Sequence, residues 1–235
     1  HYTPAQFFRD NPQVREGNPD SWRTSEAWKI TYKPPQVEET PPAFIPRATM
    51  ERTLKAYSQN NFVRYLETLF GEKKALSLAQ RFHLGTSKHW RNAGGFAVIF
   101  WQVDAGGNIR QAKIMGYNPE TGRRLKDGDA AEKLIKGQYL PDVGNGAKVY
   151  FAGRALAGKD ANLVQCFFGE HQLPQYPAAP VAIVESEKSA VIMAGIMPHV
   201  VWLATGGKYG AGWTEKAVYS ALEGRTVILY PDLGA

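Results

Sequence analysis

Three short runs of apolar, largely β-branched residues near the end of the chain constrain its fold more than any other feature. They are Val181 to Val184, Val200 to Leu203 and Val227 to Tyr230. Each has the length of a strand and is too short for a helix. Each stops at a carboxylate or a glycine turn: Glu185 after the first, Gly206-Gly207 after the second, Asp232 after the third. Between the first two runs, Ser186 is a good N-cap for a helix marked by Lys188, Ala190, Val191, Ile192 and Ala194, and Gly195 and Pro198 end it. Trp213 to Leu222 reads as a second helix, ending near Gly224. The resulting β-α-β-α-β order predicts an α/β fold with a parallel sheet and right-handed crossovers. Glu185 and Asp232 then share the carboxyl edge of that sheet, where open α/β sheets place their ligands.

Val184-Glu185-Ser186-Glu187-Lys188, Thr205-Gly206-Gly207 and Asp232, in that order, resemble the Toprim domain of bacterial-type DNA primases, topoisomerases and related nucleases. The resemblance implies that Glu185 serves as an acid-base group or metal ligand. It makes Asp232 a ligand to Mg²⁺ or Mn²⁺. Lys188, Thr205, Gly206, Gly207 and Lys208 become phosphate or nucleotide contacts. The family ends its third strand in Asp-x-Asp, whereas this chain reads Asp232-Leu233-Gly234, so one metal ligand is missing. Carboxylates suit the chemistry because phosphoryl transfer needs a cation to offset developing charge, and Mg²⁺ is served by one or two hard oxygen ligands plus water. Taken residue by residue, Glu185 also suits a helix start, and Asp232 a turn after proline. A lysine after glycines at Thr205–Lys208 lacks the spacing of a Walker loop, so no NTP-driven helicase motif lies in this stretch.

The net charge of +6 is uneven. Residues 51–174 hold eighteen basic against eleven acidic side chains, residues 1–50 are balanced, and residues 175–235 have one acid in excess. A basic segment before a carboxylate edge suits a polyanion. No run of about 18 apolar residues exists, and no membrane-spanning helix is expected. The one cysteine, Cys166, excludes an intrachain disulfide within these residues and suits a cytoplasmic protein. It reads as a buried thiol on a strand from Leu163 to Phe168.

Residues 1–50 are expected to form a proline-rich arm and linker, with Trp22, Trp28 and Tyr32 packing and Lys33 to Pro46 as the linker. Residues 51–174 are expected to form a basic α+β subdomain, and residues 175–235 the Toprim-like domain. Asn60 or Asn61 caps a helix that ends at Gly71, with Phe62, Leu66 and Leu69 on one face. A second helix runs from Glu72 to Phe82. Phe96 to Val103 and Ile109 to Tyr117 make a hairpin around Asp104–Asn108. Another turn follows at Asn118–Gly122. Ala130 to Ile135 is expected to be a helical turn, and Val149 to Phe151 a strand or a helix.

Tyr65-Leu66, Leu69-Phe70-Gly71 and Phe82-His83-Leu84-Gly85, followed by the hairpin and its basic run, resemble the primase core that precedes its Toprim domain. In that reading Lys88, Arg91, Arg110, Lys113, Arg123, Arg124 and Lys126 form a DNA-binding track. Trp90, in a basic, glycine-flanked loop, and Trp101 then stack on unpaired bases, unless they are core residues. The opening His1-Tyr2-Thr3-Pro4 resembles the stretch after a zinc ribbon in primase-like proteins of Bacteroidetes mobile elements. Zinc enters only if that ribbon lies upstream. A chain that opens on His1 and stops after Asp232 is expected to extend at both ends.

These resemblances imply a primase-like protein of a mobile element, active in DNA replication. It would be a DNA primase-type nucleotidyltransferase with single-stranded DNA, nucleoside triphosphates and a helicase as partners. The loss of the second aspartate leaves a catalytically degenerate DNA-binding or replication-partner module as the alternative. The glycine turn alone also suits an enzyme acting on a small phosphorylated ligand.

Overall fold

The computed structural model describes residues 6, 9–10, 41–126, 129–142, 149–158, 160–207 and 210–232. Contacts divide the chain into residues 1–40 and residues 41–235. Almost all of the expected arm before residue 41, together with Lys208 and Gly234, lies outside the described residues. Among the described residues no helix is long and apolar enough to cross a membrane.

Residues 41–235 carry two sheets. A six-stranded antiparallel sheet has the order β5-β4-β1-β2-β3-β6, with β1 at Gly85–Asn92, β2 at Gly95–Val103, β3 at Ile109–Met115, β4 at Glu132–Ile135, β5 at Gln138–Pro141 and β6 at Tyr150–Phe151. A three-stranded parallel sheet has the order β8-β7-β9, with β7 at Val181–Val184, β8 at Val201–Ala204 and β9 at Val227–Tyr230. The protein is thus a mixed α/β chain.

Two helices cover one face of the antiparallel sheet. The carboxamide oxygen of Asn60 accepts from the Phe62 and Val63 N–H groups and starts the Asn61–Phe70 helix, as its position before an apolar stripe predicts. Phe62, Val63 and Leu66 turn inward, but Leu69 is 45% exposed. The inward stripe runs through Val63 and leaves the expected Leu69 in solvent. The Glu72–Arg81 helix adds Ala75, Leu78 and Ala79. On this face lie Val98 and Phe100 of β2, Met115 of β3 and Tyr117 just beyond it. On the other face Ile99, Trp101, Val103, Ile109, Ala112 and Ile114 pack with Ile45 and Met50. Cover on both faces explains why β2 reads as a nearly unbroken apolar run.

Four local expectations are corrected. The Lys88–Arg91 stretch is part of strand β1, not a loop; β1 bulges away from β2 between Ser87 and Arg91, while Trp90 and Arg91 pair with β4 on the other side. Glu132–Ile135 is a strand, not a helical turn. It pairs with β5 across Lys136-Gly137, whose φ values of 47° and 83° make a left-handed two-residue turn. The Leu163–Phe168 stretch forms only one bridge, Phe168 to Ala204. Cys166 is buried there, and burial pushes its thiol well up. The expected helix from Trp213 to Leu222 is reduced to Lys216–Tyr219 and a short 3-10 turn at Ser220–Leu222.

The parallel sheet follows its sequence closely. Val184 is level with Ala204 on one side and Tyr230 on the other. Ser186 caps the Glu187–Ile196 helix by accepting from the Ser189 N–H at 3.1 Å. Ala190, Val191 and Ala194 of that helix join Trp202, Phe82 and Leu78 in one core with the helices under the antiparallel sheet. β7 and β8 are buried, whereas the β9 residues are 36–56% exposed.

One buried contact makes stability depend on pH. The rings of His83 and His171 stack with centroids 4.3 Å apart. The Arg81 carbonyl accepts from His171 Nε2 at 2.9 Å, which leaves the buried Nδ1 without a partner. Burial first, and the neighbouring His83 second, hold the His171 imidazole down to about 4. The unfolded imidazole takes its proton near 6.5, so the unfolded state binds more protons between the two values. This contribution is fully present above that window and is lost as pH falls through it. The wild type should therefore lose on the order of 2 kcal/mol more than His171→Gln between neutral pH and about pH 4.5. Urea midpoints at both pH values check this, and parallel pH profiles would sink it.

Candidate functional site

The carboxyl edge of the parallel sheet is assembled by its own turns. Glu185 follows β7, and its carbonyl accepts from the Gly206 N–H at 2.9 Å. Thr205 follows β8; its N–H donates to the Val184 carbonyl at 3.1 Å and its hydroxyl to the Gly207 carbonyl at 2.8 Å. Gly206 and Gly207 hold φ values of 82° and 138°, a path that favours glycine. The Glu185, Thr205, Gly206 and Gly207 of the sequence motif are thus brought together.

A cavity of about 430 Å³ opens beside this edge. Glu185, Thr205, Trp213, Glu215, Leu229 and Tyr230 are among its walls. Glu215 was not singled out in the sequence; its only local signal is a position just before a short helix. Asp232 lies two residues past β9, is exposed, and is not among the lining residues.

Two charged groups next to the motif already have internal partners. Glu187 is 2% exposed, and both its oxygens accept from Lys113 Nζ, at 3.0 and 2.9 Å. The third Lys113 bond goes to the Gly206 carbonyl at 2.9 Å. Lys188 donates to the Gly122 carbonyl at 3.2 Å and lies over the Tyr117 ring. Lys113 and Lys188 therefore knit the antiparallel part to the parallel edge.

Carboxylates and a hydroxyl at this edge are the right kind of donor for Mg²⁺. Their number falls short. Among the described residues no three His, Cys, Asp or Glu side chains cluster as a metal site, and Glu187 is paired to a lysine. The fit is incomplete, and no catalytic step follows from it.

The expected DNA-binding residues divide into two groups. Lys88, Arg123, Arg124 and Lys126 are exposed. Arg91 is partly exposed, pairs with Glu132 and lies over the Tyr139 ring at 3.9 Å. Arg110 is bonded to Asp104 at 2.7 Å and Lys113 is buried, so neither faces outward. Trp90 and Trp101 are core residues, 7% and 1% exposed. Their indole N–H groups donate to Asp142 and Thr53.

The basic turn that remains is anchored beside the carboxyl edge. Asn118 accepts from the Glu120 and Thr121 N–H groups through its side chain. Tyr117 bridges to Arg124, and the Lys188 bond to Gly122 ties the turn to the helix that follows Glu185.

A family model described as Domain of unknown function (DUF6371) matches residues 60–233. No curated protein matches the chain. Among solved structures, the chain is similar to one described as "Structure of the DnaG primase catalytic domain bound to ssDNA". The identity is 14% and the TM-score 0.30, over 79% of this chain and 73% of that one. At that score the likeness carries no functional weight.

Proposed function

We propose, for a chain that belongs to the family described as Domain of unknown function (DUF6371), a role in binding single-stranded DNA across a Toprim-like carboxyl edge. The observation that carries this reading is the exposed run Arg123, Arg124 and Lys126, held beside the Glu185 edge by Lys188. Cations at that place attract a phosphate backbone, and such contacts supply affinity without reading sequence. The parallel order of β7, β8 and β9, with Glu185 and Asp232 beyond strand ends, supports the Toprim-like reading. The commitment of Glu187 to Lys113 favours a binding module over a nucleotidyltransferase. A primase-like role in a mobile element, with nucleoside triphosphates or a helicase, would build on the same surface.

Fluorescence anisotropy with a labelled oligo(dT) tests the reading. Replacing Arg123, Arg124 and Lys126 together by alanine should weaken binding and lower the slope of log K against log salt by about 2, at about 0.7 per lost contact. No binding by the wild type at low salt would overturn the reading. Calorimetric titration with Mn²⁺ addresses the enzyme alternative. Binding abolished by Glu185→Ala and by Asp232→Ala would return the edge to metal chemistry.

A further inference from the structure

The sequence points to tryptophans as base-stacking residues, and the structure buries both. It places a different aromatic group at the surface. Phe96 is the second residue of β2, opposite Arg91 of β1. Its ring lies 6.3 Å from that of Tyr139 on β5. The Arg91 guanidinium sits 3.9 Å over the Tyr139 ring, and Lys88 Nζ lies 5.9 Å from the Phe96 ring. Tyr139 is held in place because its hydroxyl donates to the Lys88 carbonyl at 2.7 Å. Arg91, Phe96 and Glu132 line a cavity of about 640 Å³ between the β1–β2 turn and the β4–β5 hairpin. Phe96 and Tyr139 are each half-buried.

We infer that this cavity takes an unpaired base of single-stranded DNA, stacked on the Phe96 ring beside the Arg91 guanidinium, which the Tyr139 ring backs, with Lys88 meeting an adjacent phosphate. This rests on the reading above and names where on the antiparallel sheet the strand is gripped. Three features favour this occupant. Rings and a guanidinium plane offer flat faces to any base. The cations Lys88 and Arg91 complement a polyanion. The cavity lies in the range of small-ligand sites and is not a flat surface. A duplex would keep its bases stacked inside and could use only the charges. Among the described residues Glu132 is the one acid lining this cavity, and its pairing with Arg91 competes with a phosphate.

The test compares an oligo(dT) with a strand of equal length carrying abasic sites, by anisotropy on the full chain. The wild type should prefer the strand with bases. Phe96→Ala combined with Tyr139→Ala should lose about tenfold in affinity for oligo(dT) and lose that preference, with the salt slope unchanged. Tyr139→Phe keeps the ring and should keep most of the affinity. Glu132→Gln should tighten binding about twofold. Removal of Arg123, Arg124 and Lys126 should do the reverse of the aromatic change: the slope falls and the preference for bases stays. If the wild type binds oligo(dT) and a double variant with an unchanged unfolding midpoint binds both strands as the wild type does, the inference falls and the DNA-binding reading stands. If the wild type binds neither strand, both fall. A duplex bound as tightly as oligo(dT) would also overturn the inference.

Discussion

Lys113→Ala should destabilise the protein by about 3–5 kcal/mol, the range for breaking a buried ion pair from one side. The Lys113 ammonium spends all three protons on internal acceptors, two on Glu187 and one on the Gly206 carbonyl. Removing it leaves a carboxylate that is 2% exposed with no counter-charge, in surroundings that solvate it poorly. The same logic predicts a large coupling. Lys113→Met with Glu187→Leu removes both charges at similar volume and should recover most of the loss. Urea midpoints for the four proteins of the cycle check this. A single variant within about 1 kcal/mol of the wild type, or a cycle without coupling, would sink it. The pair also separates a structural lysine from a DNA contact. If Lys113 serves only to hold β3 against the Thr205-Gly206-Gly207 turn, the double variant should show the wild-type salt slope in DNA binding.

The fate of Lys113 shows what sequence can and cannot say about this site. β7, its Ser186 cap and β9 were legible because their signals are local: four apolar residues, a capping hydroxyl, a turn. The carboxyl-edge position of Glu185 followed from strand order alone. Partners far along the chain were not legible. Lys113 and Glu187 are 74 residues apart, and Lys188 and Gly122 are 66 apart. Counting lysines in a basic segment therefore placed Lys113 on a surface from which the fold withdraws it. β1 was missed for a related reason. A strand held by ladder bonds and not by apolar periodicity can be polar: Gly85 to Ser87 and Arg91 to Asn92 pair with β2, Trp90 and Arg91 pair with β4, and β1 bulges away from β2 between Ser87 and Arg91. Trp90 was read from its basic, glycine-flanked neighbours, but the β1 pleat turns its ring into the core and leaves Arg91 beside Phe96 and Tyr139.

Gly95→Ala should cost roughly 3 kcal/mol, from overpacking together with disturbed buried hydrogen bonds. Gly95 opens β2 directly after the turn that joins it to β1. A β-carbon there would lie 1.8 Å from Asn61 Oδ1 and 3.0 Å from the Gln59 carbonyl oxygen. Asn61 cannot simply swing away. It is buried, and its amide donates to the Asn92 carbonyl at 2.8 Å and to the Asn92 side chain at 2.7 Å. Those bonds join the start of the Asn61–Phe70 helix to the end of β1, so relief of the clash would leave buried acceptors on Asn92 unmet. Asn61→Ala alone should also destabilise, for the same acceptors. The double variant should cost less than the two singles combined, because the methyl of one occupies the space vacated by the other. Thermal or urea unfolding of the four proteins decides it: additivity would mean that the close approach of Gly95 to Asn61 is not what the glycine is for. The same variants bear on the DNA reading, since the β1–β2 turn walls the cavity beside Phe96 and Arg91. A folded Gly95→Ala protein should bind oligo(dT) more weakly while its salt slope, set by the phosphate contacts of Lys88, Arg123, Arg124 and Lys126, stays where it was.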